Sequence, residues 1–317
     1  MDKRPLGKTG LEIAPLVFGG NVFGWTADEP TSFELLDAWI DAGFNTIDTA
    51  DVYSAWAPGN QGGESESVLG KWFKRSPSVR EKVVLITKVG SELGPDKKGL
   101  SERWITQAVE DSLRRLQTDY IDLYLSHWPD PDTSFEETLG AYQKLLDAGK
   151  IRSIGASNLD AAQLKESLEV ASREGLPRYE VLQPEYNLYD RGSYEGALSE
   201  LCIERGIGVI TYFSLASGFL SGKYRSKDDI KGTRREEFLG KYFDDRGLRI
   251  LSALDQVSRK VEATPAEVAL AWLIAKPGMT APIVSATSRA QLDSLISSAR
   301  LHLAPEDMAT LDTASAS

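Results

Sequence analysis

The sequence has little cysteine and little histidine: one cysteine, Cys202, and two histidines, His127 and His302, in 317 residues. A single cysteine cannot form an intrachain disulfide, which favours a reducing compartment, and we expect a cytoplasmic protein. A catalytic metal centre needs several histidine or carboxylate ligands, and His302 lies near the C-terminus, far along the chain from His127. We therefore predict no metal site.

Long apolar runs are also absent. No segment approaches the roughly 18 apolar residues of a membrane helix, and the N-terminus, MDKRPLGKTG, has no signal-peptide core. The net charge of −11 argues against nucleic acid or a membrane surface as a partner, because both are anionic and would repel the chain. The expected partner is a small molecule. Periodicity does not separate core from interface on the outer helices, so no oligomeric state is predicted.

The G-x-G-x-x-G fingerprint of dinucleotide-binding open sheets is missing after the first apolar run, where Gly19 and Gly20 lead into NVFGW. What the chain does contain is an N-terminal segment that predicts a β-hairpin, followed by short apolar runs alternating with segments of helical period. The predicted strands are residues 16–18, 44–47, 83–87, 121–125, 151–155, 181–183, 208–212 and 282–284. Eight strand–helix units favour a closed (β/α)8 TIM barrel over the alternative, an open doubly wound sheet.

We expect residues 1–317 to form one domain, because barrels of this kind reach this length around a single core. The regular alternation breaks at residues 215–247, a long polar segment after the seventh predicted strand. Long loops in compact domains usually bind or cover ligands, so we interpret this one as a cofactor or substrate loop.

Polar or ionisable residues follow three neighbouring predicted strands. Asp48 ends the second and Tyr53 comes five residues later, Lys88 ends the third, and His127 follows the fourth. Each has an ordinary alternative: a helix cap for Asp48, a loop aromatic for Tyr53, a rim charge for Lys88 and a strand-end histidine for His127. Because a barrel brings all strand C-termini to one rim, we expect the four side chains to meet there.

These four groups fit the reduction of a carbonyl compound, in which a hydride donor delivers hydride to the carbon while a side chain protonates the oxygen. Tyr53 is the proton donor in this interpretation, and its phenol has an ordinary pKa of about 10. We expect the Lys88 ammonium to lower that pKa, Asp48 to hold Lys88 in place, and His127 to polarise the carbonyl oxygen.

At this point the sequence resembles the aldo-keto reductase family over nearly its full length. The motifs GFNTIDTADVY, LITKVG, YLSHWPD, IGASN, LQPEYN and YFSLASGFLSGKY occur in the family's order and spacing. The resemblance implies a barrel that binds NADPH, or less often NADH, and transfers hydride from nicotinamide C4 to a carbonyl. It assigns Asp48, Tyr53, Lys88 and His127 to the catalytic tetrad.

The resemblance also implies how this chain would bind the cofactor. The nicotinamide carboxamide is assigned to Ser157, Asn158 and Gln183, and its ring to Tyr212. The phosphates are assigned to Ser214, Leu215, Ser217, Gly218 and Lys223. The adenosine end is assigned to Ser285, Thr287, Arg289 and Gln291, with Arg289 as the group that favours the 2′-phosphate of NADPH; a surface arginine without a ligand is the alternative.

Two pairs of residues depart from the family pattern. Phe213 and Ser214 replace the usual Ser-Pro after the seventh strand, and Ser294 and Leu295 replace a Glu-Asn pair near the adenine. The second departure removes polar groups that would contact the base, so adenine recognition follows least directly from the resemblance.

Apolar residues in the rim loops predict a hydrophobic or sugar-like substrate pocket. The expected walls are Val22, Phe23, Trp25, Trp56 and Trp128; packing of these residues into loop cores is the alternative. Three functions remain open: an NADPH-dependent carbonyl reductase, a cofactor-binding regulatory subunit like the potassium-channel β subunits, and an alcohol or sugar dehydrogenase acting in the oxidative direction.

Overall fold

The chain forms a closed barrel of eight parallel strands. The computed structural model describes residues 2–232 and 236–316. Ordered around the barrel, neighbouring strands are β3 (Val17–Gly19), β4 (Thr46–Asp48), β5 (Val84–Val89), β6 (Leu123–Ser126), β7 (Ile154–Ser157), β8 (Val181–Gln183), β9 (Gly208–Thr211) and β10 (Ala281–Val284), and β10 pairs with β3. The predicted (β/α)8 fold is confirmed. Strand bounds differ from the predicted ones by up to three residues, most at β7, which begins at Ile154 instead of residue 151.

Helices cover the outside of the barrel. They are α1 (Glu29–Asp41), α2 (Glu64–Arg75), α3 (Pro77–Arg80), α4 (Glu102–Leu116), α5 (Phe135–Asp147), α6 (Ala161–Glu174), α7 (Ala197–Arg205), α8 (Glu236–Leu239), α9 (Asp245–Val261), α10 (Pro265–Ala275), α11 (Arg289–Ser298) and α12 (Pro305–Ser315). Capping follows the sequence: Thr264 and Glu267 form a capping box before α10, which has proline at its first position. In the described parts of the chain no helix is long and apolar enough to cross a membrane.

The predicted hairpin, β1 (Arg4–Pro5) and β2 (Glu12–Ile13), packs against one end of the barrel. Leu6 and Ile13 belong to the same apolar cluster as the inward-facing strand residues. The approach is close: a Cβ added to Gly208 would lie 2.5 Å from the backbone nitrogen of Gly7. The hairpin therefore seals the end of the barrel away from the strand C-termini.

Side-chain alternation along β5 explains why a lysine lies inside the barrel. Val84 and Ile86 belong to the interior cluster, whereas Leu85 and Val89 pack with the surrounding helices. Lys88 is two residues beyond Ile86, so it shares the interior face and lies at the C-terminal end of that column. It is 0% exposed to solvent.

The polar segment 215–247 is not one long loop. It contains short 3₁₀ helices at Ala216–Ser221, Lys227–Ile230 and Gly240–Tyr242, together with α8. Buried apolar side chains, including Phe219, Leu220 and Leu239, anchor these turns to the core. Residues 233–235 of this predicted loop lie outside the described residues, as do residues 1 and 317 of the predicted domain.

Candidate active site

Lys88 is the centre of a buried polar cluster at the C-terminal end of the barrel. Its ammonium donates to Asp48 Oδ1 at 2.6 Å, to Thr49 O at 2.8 Å and to Tyr53 Oη at 2.8 Å. These three bonds use all the donors that an ammonium has. The Lys88 side chain is therefore fixed in one position against Asp48 and Tyr53.

Asp48 is bonded through both of its carboxylate oxygens. Oδ1 also accepts from Tyr53 Oη at 3.2 Å, and Oδ2 accepts from Gln183 Nε2 at 2.9 Å. The residue is 1% exposed, and its Cα is paired with Ile86 in the barrel ladder. A buried carboxylate with a cationic partner and several donors is the form in which proteins tolerate such a charge.

The turn after β4 brings Tyr53 back over the strand end. Tyr53 N donates to Ala50 O at 3.2 Å, and Ser54, in the left-handed region at φ 73°, donates through Oγ to Phe23 O at 2.7 Å. The phenol consequently lies 2.8 Å from the lysine, although Tyr53 itself belongs to no strand.

The electrostatics of Tyr53 differ from the sequence expectation. Burial raises the pKa of Tyr53 well above its ordinary value, and the Asp48 charge and hydrogen bond raise it further. Burial also lowers the pKa of Lys88, against the opposing effect of Asp48. The expected lowering of the Tyr53 pKa by Lys88 was wrong, because removal of the phenol from water and the nearby carboxylate dominate. Tyr53 is consequently protonated throughout the physiological range.

His127 completes the group that was predicted to meet at the rim. Its backbone N–H donates to Val89 O at 2.8 Å, and its ring centroid lies 6.0 Å from that of Tyr53. Burial and, second, the Lys88 charge lower the pKa of His127 well below its ordinary value. The imidazole is therefore neutral near pH 7. The other histidine, His302, is exposed in the segment before α12 and contacts Arg300 O.

The residues assigned to the nicotinamide end adjoin this cluster. Ser157 Oγ donates to Gln183 O at 2.7 Å, and Gln183 in turn holds Asp48. Asn158, at φ 62°, donates to His127 O at 2.9 Å and accepts from Tyr212 Oη at 2.7 Å. A single hydrogen-bonded chain thus connects the ends of β7, β8 and β9 to the predicted tetrad.

The segment after β9 has an unusual backbone. Phe213, Ala216, Ser217 and Gly218 all have positive φ. Ser214 is buried, with Oγ 2.8 Å from Ile283 O and 3.0 Å from Thr211 O. Its hydroxyl therefore joins β9 to β10. Leu215 and Gly218 are partly exposed, as is Ser217, and Lys223 is exposed beside the Tyr224 ring.

The residues assigned to the adenosine end lie after β10 and at the start of α11. Ser285 Oγ is 2.8 Å from Gly19 O, and Thr287 N donates to Gln291 Oε1 at 2.8 Å. Arg289 and Asp293 form an exposed ion pair through Nε at 2.9 Å. Of the two residues that depart from the family pattern near the adenine, Ser294 donates its hydroxyl to Glu267. Leu295 is apolar and buried.

The aromatic pocket residues divide into two groups. Trp25, Trp56 and Trp128 surround the site: Trp56 lies 5.7 Å from Trp25 and 5.9 Å from Tyr53, and Trp128 stacks on His127 at 6.0 Å. The expectation for Val22 and Phe23 was wrong. Both are at most 1% exposed, because the 3₁₀ turn Gly20–Val22 directs them into the core, where Phe23 stacks on Phe18.

Sequence reasoning missed two residues beside the site. Ser91 Oγ lies 2.9 Å from His127 Nδ1; the signal was a serine three residues after Lys88. Asp51 is 1% exposed and neither of its carboxylate oxygens has a hydrogen-bond partner in the described structure. Burial first, and then the charge of Glu66, raise the pKa of Asp51 well above its ordinary value.

A cavity of about 490 Å³ lies next to Asp51 and is lined by the outer helix α4, including Trp104 and Arg115. None of Tyr53, Lys88 and His127 lines it. The bonded cluster on the rim remains the candidate active site, because the four predicted residues meet there and none of them lines the cavity.

A closed barrel whose strand ends carry Asp, Lys and His beside a tyrosine is the architecture of a barrel oxidoreductase. Residues 15–316 match the model of the aldo/keto reductase family. The uncharacterized oxidoreductase YrpG of Bacillus subtilis is 33% identical, over 98% of this chain and 95% of the relative. A probable voltage-gated potassium channel subunit beta of Oryza sativa is 34% identical, over 92% and 89%. The aldo-keto reductase YhdN of Bacillus subtilis is 32% identical, over 99% and 93%. The chain belongs to the aldo-keto reductase family, whose members generally use NADPH or NADH.

Proposed function

We propose that this protein reduces an aldehyde or ketone to an alcohol, with NADPH as the hydride donor. The observation that carries the proposal is the Lys88–Tyr53 contact of 2.8 Å inside a barrel end where Asp48 and His127 also lie. The bound cofactor supplies a hydride from nicotinamide C4 to the carbonyl carbon. The proton goes to the carbonyl oxygen from Tyr53 Oη, which leaves a tyrosinate that recovers its proton from solvent.

The high pKa of Tyr53 is compatible with this role. A general acid must hold its proton until the substrate oxygen becomes basic, which happens as hydride reaches the carbon. The tyrosinate that forms is then stabilised by the Lys88 ammonium, already in hydrogen-bond contact with Oη. His127, neutral at the same rim, can donate a second hydrogen bond to the oxygen.

The chemistry of the side chains at the rim fits a nicotinamide dinucleotide. Tyr212 presents a half-buried ring fixed by Asn158, which suits stacking of a flat heterocycle. Ser157, Asn158 and Gln183 offer amide and hydroxyl groups for a carboxamide. Farther out, Lys223 and the N-terminus of α11 with Arg289 suit phosphates, and the exposed Arg289 guanidinium supports NADPH over NADH.

Three exposed or half-exposed tryptophans around Tyr53 favour a hydrophobic or sugar-like carbonyl substrate. The rice relative's printed name supports a second candidate, a cofactor-binding subunit that acts through a protein partner. Oxidation of an alcohol or sugar by the same groups in reverse is a third. Turnover measured with aldehydes and with alcohols separates the three candidate functions.

The test begins with tryptophan fluorescence during titration with NADPH and with NADH, followed by nicotinamide absorbance with a panel of aldehydes and of alcohols. We expect quenching by NADPH, faster turnover with aldehydes, and loss of about 10²- to 10⁴-fold in kcat for Tyr53→Phe with NADPH binding retained. Tyr120→Phe is the matched control, since its hydroxyl makes no hydrogen bond in the described structure and it lies at the other end of β6.

Absence of quenching by either nucleotide would refute cofactor binding. Wild-type turnover by Tyr53→Phe would remove Tyr53 as the acid. Binding of NADPH without turnover of any compound in the panel would favour the subunit role.

A further inference from the structure

Ser91, just beyond the end of β5, contacts the imidazole of His127. Its hydroxyl oxygen lies 2.9 Å from Nδ1. The chain reaches this position by a turn immediately after β5: Val89 ends the strand, and Gly90 follows at φ +116°. Such a backbone conformation strongly favours glycine, and a Cβ at Gly90 would also lie 2.9 Å from Leu100 Cδ2. The turn directs Ser91 across to the end of β6.

Backbone hydrogen bonds and two aromatic neighbours hold His127 in place. Its backbone N–H donates to Val89 O at 2.8 Å, and its carbonyl accepts from Asn158 Nδ2 at 2.9 Å. Trp128 stacks along its ring and Tyr53 lies at its edge, each with centroids 6.0 Å away. Nδ1 is occupied by Ser91, so in the described structure Nε2 is the ring nitrogen without a hydrogen-bond partner.

The chemistry depends on which nitrogen carries the proton. A neutral imidazole has one N–H donor and one lone pair, and the hydrogen bond at one nitrogen selects the role of the other. If Ser91 Oγ–H donates to Nδ1, then Nε2 carries the proton and can donate to a substrate oxygen. If Nδ1–H donates to Oγ, Nε2 presents a lone pair, which repels that oxygen.

We propose that Ser91 is a positioning residue that donates to His127 Nδ1 and thereby holds the Nε2–H tautomer toward the substrate. Burial first, and then the positive charge of Lys88, lower the pKa of His127, so the neutral ring rather than the imidazolium is the working form. The catalytic part of this inference rests on the proposed function; the tautomer itself does not.

The tautomer is measured by ¹⁵N NMR of ring-labelled protein, without cofactor or turnover. Only two histidines contribute signals, and a His302→Gln background leaves His127 alone. The variants are Ser91→Ala, which removes the hydroxyl, and Ser91→Thr, which retains it. Ser76→Ala is the control, because this loop serine between α2 and α3 makes no side-chain cap bond. Circular dichroism and Tm confirm that each variant is folded.

We expect Nε2–H in the wild type, a mixture of tautomers in Ser91→Ala, and recovery in Ser91→Thr. With an aldehyde substrate, Ser91→Ala should lower kcat/KM about 10- to 100-fold while NADPH affinity stays unchanged, and Ser91→Thr should restore most of the loss. An Nδ1–H tautomer in the wild type, or a Ser91→Ala spectrum identical to it, overturns the inference.

Unchanged kcat/KM for Ser91→Ala in an active enzyme also overturns the positioning role. If no aldehyde is turned over by any variant, the proposed reductase function fails by itself, and the NMR result still decides whether Ser91 sets the tautomer.

Discussion

The polar residues at the ends of β4 to β6 and those around Arg289, after β10, are organised in opposite ways. Around Lys88 the groups are buried and their hydrogen bonds are made: three donors of one ammonium and both oxygens of Asp48 have partners. Around Arg289 the side chains are exposed, and in the described part of the chain the arginine forms its ion pair with Asp293, one turn along its own helix. The first region is supported by strands, whereas the second lies on a turn and a helix end.

The difference separates two kinds of preorganisation. A buried cluster on strand ends has little freedom, so its geometry exists before any ligand arrives. Exposed charges at a helix N-terminus carry little desolvation cost, and their N–H groups can donate to an anion. Their side-chain positions are only loosely fixed, because solvent surrounds them. Changes in the first region should therefore alter both stability and turnover, and changes in the second should alter cofactor binding alone.

The largest effect is expected from Lys88→Met. It leaves the Asp48 carboxylate buried without its cationic partner, which should lower the free energy of unfolding by about 3–5 kcal/mol and abolish turnover. The double variant Lys88→Met with Asp48→Asn removes the isolated charge and should recover most of the stability but no activity. Urea denaturation measures the free energy of unfolding of the single and the double variant. If Lys88→Met were as stable as the wild type, the Lys88–Asp48 ion pair would not be what stabilises the cluster.

Arg289→Ala tests the opposite region. We expect the Kd for NADPH to rise about 10- to 100-fold, the Kd for NADH to change little, and Tm to stay constant, because the residue is more than half exposed. Arg300→Ala, an exposed arginine just beyond the same helix, is the control. Equal weakening of both nucleotides would exclude recognition of the 2′-phosphate, and a fall in Tm would remove the contrast between the two regions.

Strand counting was enough to predict the buried region. Asp48, Lys88 and His127 follow from where apolar runs end, and the barrel rule brings those ends together. Side-chain alternation along β5 could also have predicted the burial of Lys88. Tyr53 was singled out by its position five residues after Asp48, but its place over Asp48 depends on the turn at residues 50–54, which strand counting does not predict.

Loop conformation explains what the sequence did not reveal. Val22 and Phe23 have the composition of pocket walls, but a 3₁₀ turn sends them into the core, and no periodicity encodes that turn. Ser91 reaches His127 where the chain leaves β5 through Gly90, whose φ of +116° strongly favours glycine. The pKa of Tyr53 was predicted in the wrong direction because the balance between burial and neighbouring charges depends on distances that a sequence does not contain.

Asp51 is the exception within the well-bonded region, and it gives the smallest expected effect. Its folded-state pKa is raised, so its contribution to stability is full below its unfolded pKa of about 3.9 and is lost as pH rises through the folded value. The Asp51→Asn side chain has no ionisable proton, so the variant does not lose this stability as pH rises. The Tm of the variant relative to wild type should therefore be higher at pH 8 than at pH 4, by about 2 °C if the effect is on the order of 1 kcal/mol.

Asp132→Asn, at an exposed loop position, is the matched control for removal of a carboxylate. A difference between Asp51→Asn and wild type that is constant from pH 4 to pH 8 would mean that Asp51 finds a partner in solution. In that case the region around Lys88 would have no unbonded carboxylate, and the contrast with the exposed charges of α11 would be complete.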